Sequence, residues 1–358
     1  MLLFEFVVKL LDDSQTELAN KKFFLLSGEK STLPQAELRA IVETYDDKAR
    51  FEIINERVMI VDGRFDLNTI LKRSAYVNAG GYLLTHCKIE DAEKIINSVA
   101  FDDFMDDSVS FAASVFNLSN QSISGKIEAI IGSSVKRRLP DAKVSLKNPQ
   151  KMVIGIIFDD YLLLGFSDYI DRKIWRLRRP RARPFFHPSA LYPKFARGLV
   201  NLSHVKKGEI ILDPFCGTGS ILIEASMIGI DTIGIDISMK MCKGAINNLK
   251  HYILESLGII NSDALMLPIK NVDAVVTDIP YGRCASSRGV KTPNLLKEFI
   301  LQAEDTIPKG RYCVIVHPNT IKLDESDKFE VKERHEVYVH RTLTRAITIL
   351  RKEQGYRG

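Results

Sequence analysis

The stretch EIILDPFCGTGSILIEA (209–225) runs from an apolar segment through an acid and a glycine turn into a second apolar segment. The first run fits a strand buried on both faces, and Asp213 closes it. Gly217 and Gly219 form the turn, because a Cβ there would keep a ligand off the backbone. The pattern then recurs. TIGID (232–236) leads into a helix at 238–252, and DAVVTD (273–278) leads into a longer loop and a helix near 293–305. RYCVIV (311–316) follows. Strand–helix alternation of this kind predicts a parallel sheet covered on both faces, a doubly wound α/β domain over 185–358. FEVKERHEVYV and TRAITILRK close the chain with no helix between them, so an antiparallel hairpin is expected at one edge.

Two smaller α+β units are expected upstream. In 1–84, the strand-like FFLLSG (23–28) precedes a helix opened by Ser31, Thr32 and Pro34, then a strand pair and a second helix. In 85–168, SFAASVFNL reads as a strand and ISGKIEAIIGSSVKRRL as an amphipathic helix, with AKVSLKNP, MVIGIIF and YLLLGF as further strands. Residues 169–184 form a basic linker; RKIWRLRRPRARP within it has seven Arg or Lys and no acid, and its prolines stiffen it.

At 358 residues with 45% hydrophobic content, the chain can bury sizeable cores in two or three domains. The longest apolar runs are far too short for a membrane span, and MLLFEFVVKL lacks a basic leader, so a cytoplasmic protein is expected. Five scattered cysteines without a CxxC pair argue against disulfides and a zinc site. The net charge of +5 permits a polyanionic partner without demanding one.

In a doubly wound sheet, ligands sit beyond the carboxyl ends of the strands. Asp236 stands 23 residues after Asp213 at the next strand end, a spacing suited to ribose hydroxyls. Asp263 in NSDALMLP could accept from an adenine amine. The third glycine of a dinucleotide motif is missing, since Leu222 holds its place, and no lysine follows to make a P-loop. Strand-end acids also cap helices, but the ordered set describes an adenosine ligand without a phosphate, and S-adenosylmethionine fits it better than a dinucleotide.

The stretch DIPYGR then supplies the acceptor side. A carboxylate at Asp278 and the carbonyl of Ile279 could take both hydrogens of a nucleobase amine, turning its lone pair toward a methyl donor. Pro280 would fix that carbonyl and Tyr281 would stack on an extruded base, although a plain turn with a buried tyrosine is the bland reading.

DPFCGTGSILIEA, DIPYGR, RPFFHPSALYPKFARGLVNL and VHRTLTRAITIL together resemble the archaeal tRNA guanine-N2 methyltransferases, in particular those that modify guanosine 10. Residues 85–168 resemble a THUMP domain, and FFLLSGEKSTLPQAEL resembles the family's small ferredoxin-like N-terminal domain. The resemblance spans nearly the whole chain. It implies that Asp213, Phe215, Gly217, Gly219, Asp236, Asp263 and Ala264 hold S-adenosylmethionine, which leaves as S-adenosylhomocysteine. Asp278, Ile279, Pro280 and Tyr281 are then the catalytic set, and Phe185, Phe186, His187, Pro188 and Asn201 shape the cofactor pocket. Two departures stand out. Ile279 replaces the family's usual proline, from which a looser loop is expected, and no base occurs near Ala113 or Ser114 in the THUMP-like strand.

For RNA contact the candidates are Arg137, Arg138 and Lys143, with the linker residues Arg178, Arg179, Arg181 and Arg183. Charge runs are usually solvated faces, and a linker arginine could equally pair with an acid elsewhere. His187, His251 and His340 are expected to be structural. The reading is a monomeric tRNA methyltransferase that adds one methyl and then a second to N2 of guanosine 10, without metal, DNA or membrane. Its rivals are an N2-guanine enzyme for another tRNA or ribosomal RNA position, an adenine-N6 DNA enzyme, a nicotinamide oxidoreductase, and a non-catalytic RNA-binding module with a vestigial pocket.

Overall fold

Continuously buried runs along Lys21–Leu26 and Val58–Asp62 set up the first of two sheets in the computed structural model, which describes residues 21–29, 31–119, 122–172, 174–281, 292–323, 328–341 and 343–353. The apolar N-terminal run, Gly282, Arg283 and Cys284 lie outside the described residues.

In chain order the elements begin β1 (Lys21–Leu26), α1 (Leu33–Tyr45), β2 (Arg50–Asn55), β3 (Val58–Asp62), α2 (Leu67–Arg73) and β4 (Val77–Lys88). There follow α3 (Ala92–Ser98), β5 (Ser110–Asn117), α4 (Ser124–Arg138), β6 (Lys143–Val144), β7 (Lys151–Phe158) and β8 (Tyr161–Asp168). The eight strands form one sheet in the order β2-β3-β1-β4-β8-β7-β5-β6. The boundary expected after residue 84 falls inside β4, whose first half pairs with β1 and second half with β8. A twelve-residue strand thus carries both halves of the sheet, and sequence shows no break there because none is needed. The expected strand AKVSLKNP shrinks to the exposed pair Lys143–Val144, and Val144 and Leu146 stay open to solvent.

The second sheet uses β9 (Ile210–Asp213), β10 (Asp231–Asp236), β11 (Gly258–Asn261), β12 (Ala274–Asp278), β13 (Tyr312–Pro318), β14 (Phe329–His340) and β15 (Leu343–Lys352). Its helices are α5 (Ile174–Leu177), α6 (Pro193–Asn201), α7 (Ser220–Ser226), α8 (Met239–His251) and α9 (Thr292–Glu304). The order is β11-β10-β9-β12-β13-β15-β14, and β15 alone runs against the other strands. The chain steps outward from β9 to β11 and then returns to β12 on the other side of β9. That reversal leaves a crevice beyond the ends of β9 and β12, the tips that carry Asp213 and Asp278. Ala274, Val275, Val276 and Thr277 are wholly buried, as a central strand covered on both faces requires.

By contacts the described residues form two units. One gathers positions up to 28, 45–72 and 77–172; the other gathers 29–44, 73–76 and those from 174 onward. Most of α1 therefore packs into the unit of the second sheet, where Leu33, Ala36 and Ala40 join the core of Leu199, Ile211 and Val276. Sequence separation of more than 150 residues hid this. Among the described residues no helix is long and apolar enough to cross a membrane.

Candidate active site

Asp213 ends β9 fully buried, and its Oδ1 accepts from the Thr277 hydroxyl at 2.8 Å and the Phe215 amide at 3.2 Å. Burial, helped by the nearby charges of Asp236 and Asp278, pushes its carboxyl up to about 7 against the two hydrogen bonds. Asp236 ends β10 with both oxygens engaged by backbone. Oδ2 accepts from Gly217 at 2.9 Å and Oδ1 from Ser238 at 2.8 Å, which fixes the carboxylate against the glycine turn. Burial raises its carboxyl too.

The turn separates its two glycines by task. Gly217 has φ +50° and open space where a Cβ would stand, so it keeps the cavity wall low. Gly219 has φ +80°, donates to Cys216 and faces Ala245, so it shapes the turn rather than the wall.

A cavity of about 790 Å3 opens over these tips. Of the expected residues it is lined by Asp213, Phe215, Gly217, Asp236, Asp263, Ala264, Asp278, Ile279, Pro280, Tyr281, His187 and Pro188. The glycine-turn stretch and the described part of DIPYGR thus meet in one chamber. Asp263 holds the Leu265 amide at 3.0 Å and faces the same space.

At the tip of β12, burial lifts Asp278 to about 6 against the pull of Arg345 and the Tyr281 hydroxyl. Its Oδ1 is buried and has no hydrogen-bond partner among the described residues. Oδ2 lies 3.8 Å from a terminal nitrogen of Arg345, whose Nε donates to the Tyr281 hydroxyl at 2.5 Å. The loop expected to be looser lies mostly outside the described residues, at 282–291, but Ile279 itself is held. Its side chain is 1% exposed among Leu296 and Phe299, and its amide donates to Val316 at 3.1 Å, a bond that proline could not make.

Several expected residues are elsewhere. Asn201 is wholly buried, with its amide donating to Glu37 and to the Arg73 carbonyl, so it supports the core instead of the cavity. Phe185 packs on Gly244 and exchanges hydrogen bonds with Asn248, while Phe186 lies exposed beside Arg181. Arg178 and Arg183 do not face solvent. Glu224 is fully buried and takes Arg178 at 2.7 and 3.0 Å and Arg197 at 2.9 Å, because a buried carboxylate must be paired. Arg183 donates to Ser220 at 2.7 Å. Arg179 and Arg181 remain exposed. In the first unit, Lys143 is exposed, Arg137 reaches Asn97 and Arg138 ion-pairs loosely with Asp102 at 3.6 Å.

Residues that the sequence did not single out complete the chamber: Ser189, Met241, Leu295, Val339, Leu343 and Arg345. His187 and His340, expected to be structural, line it as well. Arg345 looked like any charge at the start of an edge strand; only the register that sets it opposite Pro318 turns it over the β12 tip.

The chamber suits a cationic adenosine ligand. Three strand-end acids, Asp213, Asp236 and Asp278, face it, all raised by burial, and the Thr218 hydroxyl in its wall has no partner among the described residues. Asp213, Asp236 and Asp263 could hold such a cofactor, and the bare Oδ1 of Asp278 could accept from a substrate donor.

Residues 180–347 match the family model described as "RMKL-like, methyltransferase domain". The tRNA (guanine(10)-N2)-dimethyltransferase of Methanothermobacter thermautotrophicus is 33% identical over 92% of this chain and 98% of its own. The enzyme of the same name from Methanocaldococcus jannaschii is 32% identical over 92% of this chain and 99% of its own. The solved structure of TrmN from Thermus thermophilus shares the fold at a TM-score of 0.56 and 18% identity, covering 93% of this chain and 99% of that one. By sequence, motif and sheet order, the chain belongs to the tRNA (guanine(10)-N2)-dimethyltransferase family.

Proposed function

We propose that this protein transfers methyl groups from S-adenosylmethionine to the exocyclic N2 of guanosine 10 in tRNA, first one and then a second. The observation that carries the reading is the buried Oδ1 of Asp278, without a partner among the described residues, in a chamber that the glycine turn also lines. An isolated buried carboxylate oxygen costs stability and is retained where a ligand completes it.

When bound, S-adenosylmethionine supplies an electrophilic methyl group and leaves as S-adenosylhomocysteine. Asp213 would face its cationic end, Asp236 its ribose hydroxyls and Asp263 its adenine amine, with Gly217 letting the backbone come close. Asp278 would accept one N–H of the guanine amine and the Ile279 carbonyl the other, which localises the lone pair on nitrogen. A carboxyl held near 6 is also basic enough to take the proton released as the N–C bond forms. Tyr281 would support the extruded base.

The sheet of the first unit, with its exposed Lys143 and the helix-end arginines Arg137 and Arg138, would act as a THUMP-like holder of the folded tRNA, joined by Arg179 and Arg181. The protein would work as a cytoplasmic monomer, with no call on DNA, membrane or metal.

The test is nucleoside mapping. Purified protein, labelled donor and tRNA transcripts with guanosine or adenosine at position 10 are incubated, and the RNA is digested for mass spectrometry. N2-methylated guanosine at that position supports the reading. Methylation elsewhere, or binding without turnover, overturns it.

A further inference from the structure

The side chain of Arg345 reaches from β15 across the chamber wall, and three contacts hold it there. Nε donates to the Tyr281 hydroxyl at 2.5 Å, a terminal nitrogen stands 3.8 Å from Oδ2 of Asp278, and the guanidinium lies 5.5 Å from the centre of the Phe195 ring. Arg345 touches one oxygen of Asp278 and leaves the other bare. An arginine is suited to this because its fork can address two partners at fixed relative positions.

We propose that Arg345 is the positioning residue of the transfer: by engaging Oδ2 of Asp278 together with the Tyr281 phenol, it keeps the carboxylate ionised and presents Oδ1 alone to the substrate amine. The inference rests on the proposed transfer to guanine N2. Its chemistry is electrostatic. Burial disfavours the charged carboxylate, and an opposite charge within about 4–6 Å restores it.

The other charged groups near Asp278 do not replace it. Asp213 on β9 adds a like charge, His340 on β14 lines the same chamber, and His317 on β13 is spent on Thr348 and the Pro318 carbonyl. Among the described residues only Arg345 brings a fixed positive charge to that carboxylate.

Single-turnover methylation of the tRNA transcript, at saturating donor and over pH 5 to 9, tests this with two variants. In Arg345→Gln the neutral amide removes the charge, and the acidic limb of the rate should move toward alkaline pH by roughly one unit or more. The rate at neutral pH should fall at least tenfold, with donor affinity and melting temperature near those of the wild type. Arg345→Lys keeps a charge but not the fork. Its limb should stay near the wild-type position while the plateau rate remains reduced. Two results overturn the proposal: a Gln variant whose limb does not move, or a Lys variant whose limb moves as far as that of Gln. A wild-type protein that methylates no guanine removes the proposed function and this role together, whereas an active wild type with an unmoved Gln limb removes only the role of Arg345.

Discussion

The tips of β9 and β12 are neighbours in one sheet, end in the same residue type and face the same chamber, yet they are finished differently. Asp213 spends an oxygen on the Thr277 hydroxyl and the Phe215 amide, while Asp278 keeps Oδ1 bare and is drawn on by the Arg345 guanidinium and the Tyr281 hydroxyl. Burial raises both carboxyls, to about 7 and about 6. The first is a wall built into its strand, and the second is an acceptor left incomplete. A buried polar group is normally paired, and the amine of the proposed substrate would complete the unpaired one.

The contrast can be tested by removing acids in order of effect. Glu224, on α7, is the fully paired limit. Glu224→Ala strands Arg178 and Arg197 in the core and should cost about 3–5 kcal/mol of stability, read by denaturant unfolding. Loss of chemistry at unchanged stability would mean the pair is not structural. Asp278→Ala should do the reverse, lowering the single-turnover rate by roughly 10²–10³-fold with donor affinity within about twofold. Parallel losses of rate and affinity would erase the distinction between the tips.

A gentler probe is Thr277→Val. It deprives Asp213 of a donor that favours its ionised form, so its carboxyl should rise further. Donor binding should then weaken near pH 7 by about tenfold or less and recover toward pH 9, where the carboxylate is charged again. A loss independent of pH would show that the charge of Asp213 does not hold the donor. The smallest effect is expected from Arg179→Ala with Arg181→Ala. These should leave stability alone and flatten the salt dependence of tRNA binding slightly, by roughly the slope of one or two phosphate contacts.

Much of this site could be read in the sequence because its parts are local. A buried run, a terminal acid and a glycine turn occupy thirteen residues or fewer, and Asp213, Asp236 and Asp278 fell where strand-end spacing put them. What escaped was long-range. Glu37 and Asn201 meet across 164 positions, Arg178 and Glu224 across 46, and Tyr281 and Arg345 across 64. An arginine run without nearby acids looks solvated until the fold delivers a buried glutamate to it. The same blindness placed a domain boundary inside β4, since a long strand shared by two half-sheets carries no composition shift.

The central claim is that Asp278 grips an exocyclic amine, and inosine provides the most direct test, because it is guanosine without the 2-amino group. With the same tRNA transcript carrying guanosine or inosine at position 10, the account predicts label from the methyl donor in the first and none above background in the second, with both RNAs bound alike. Equal methylation of the inosine transcript would contradict it.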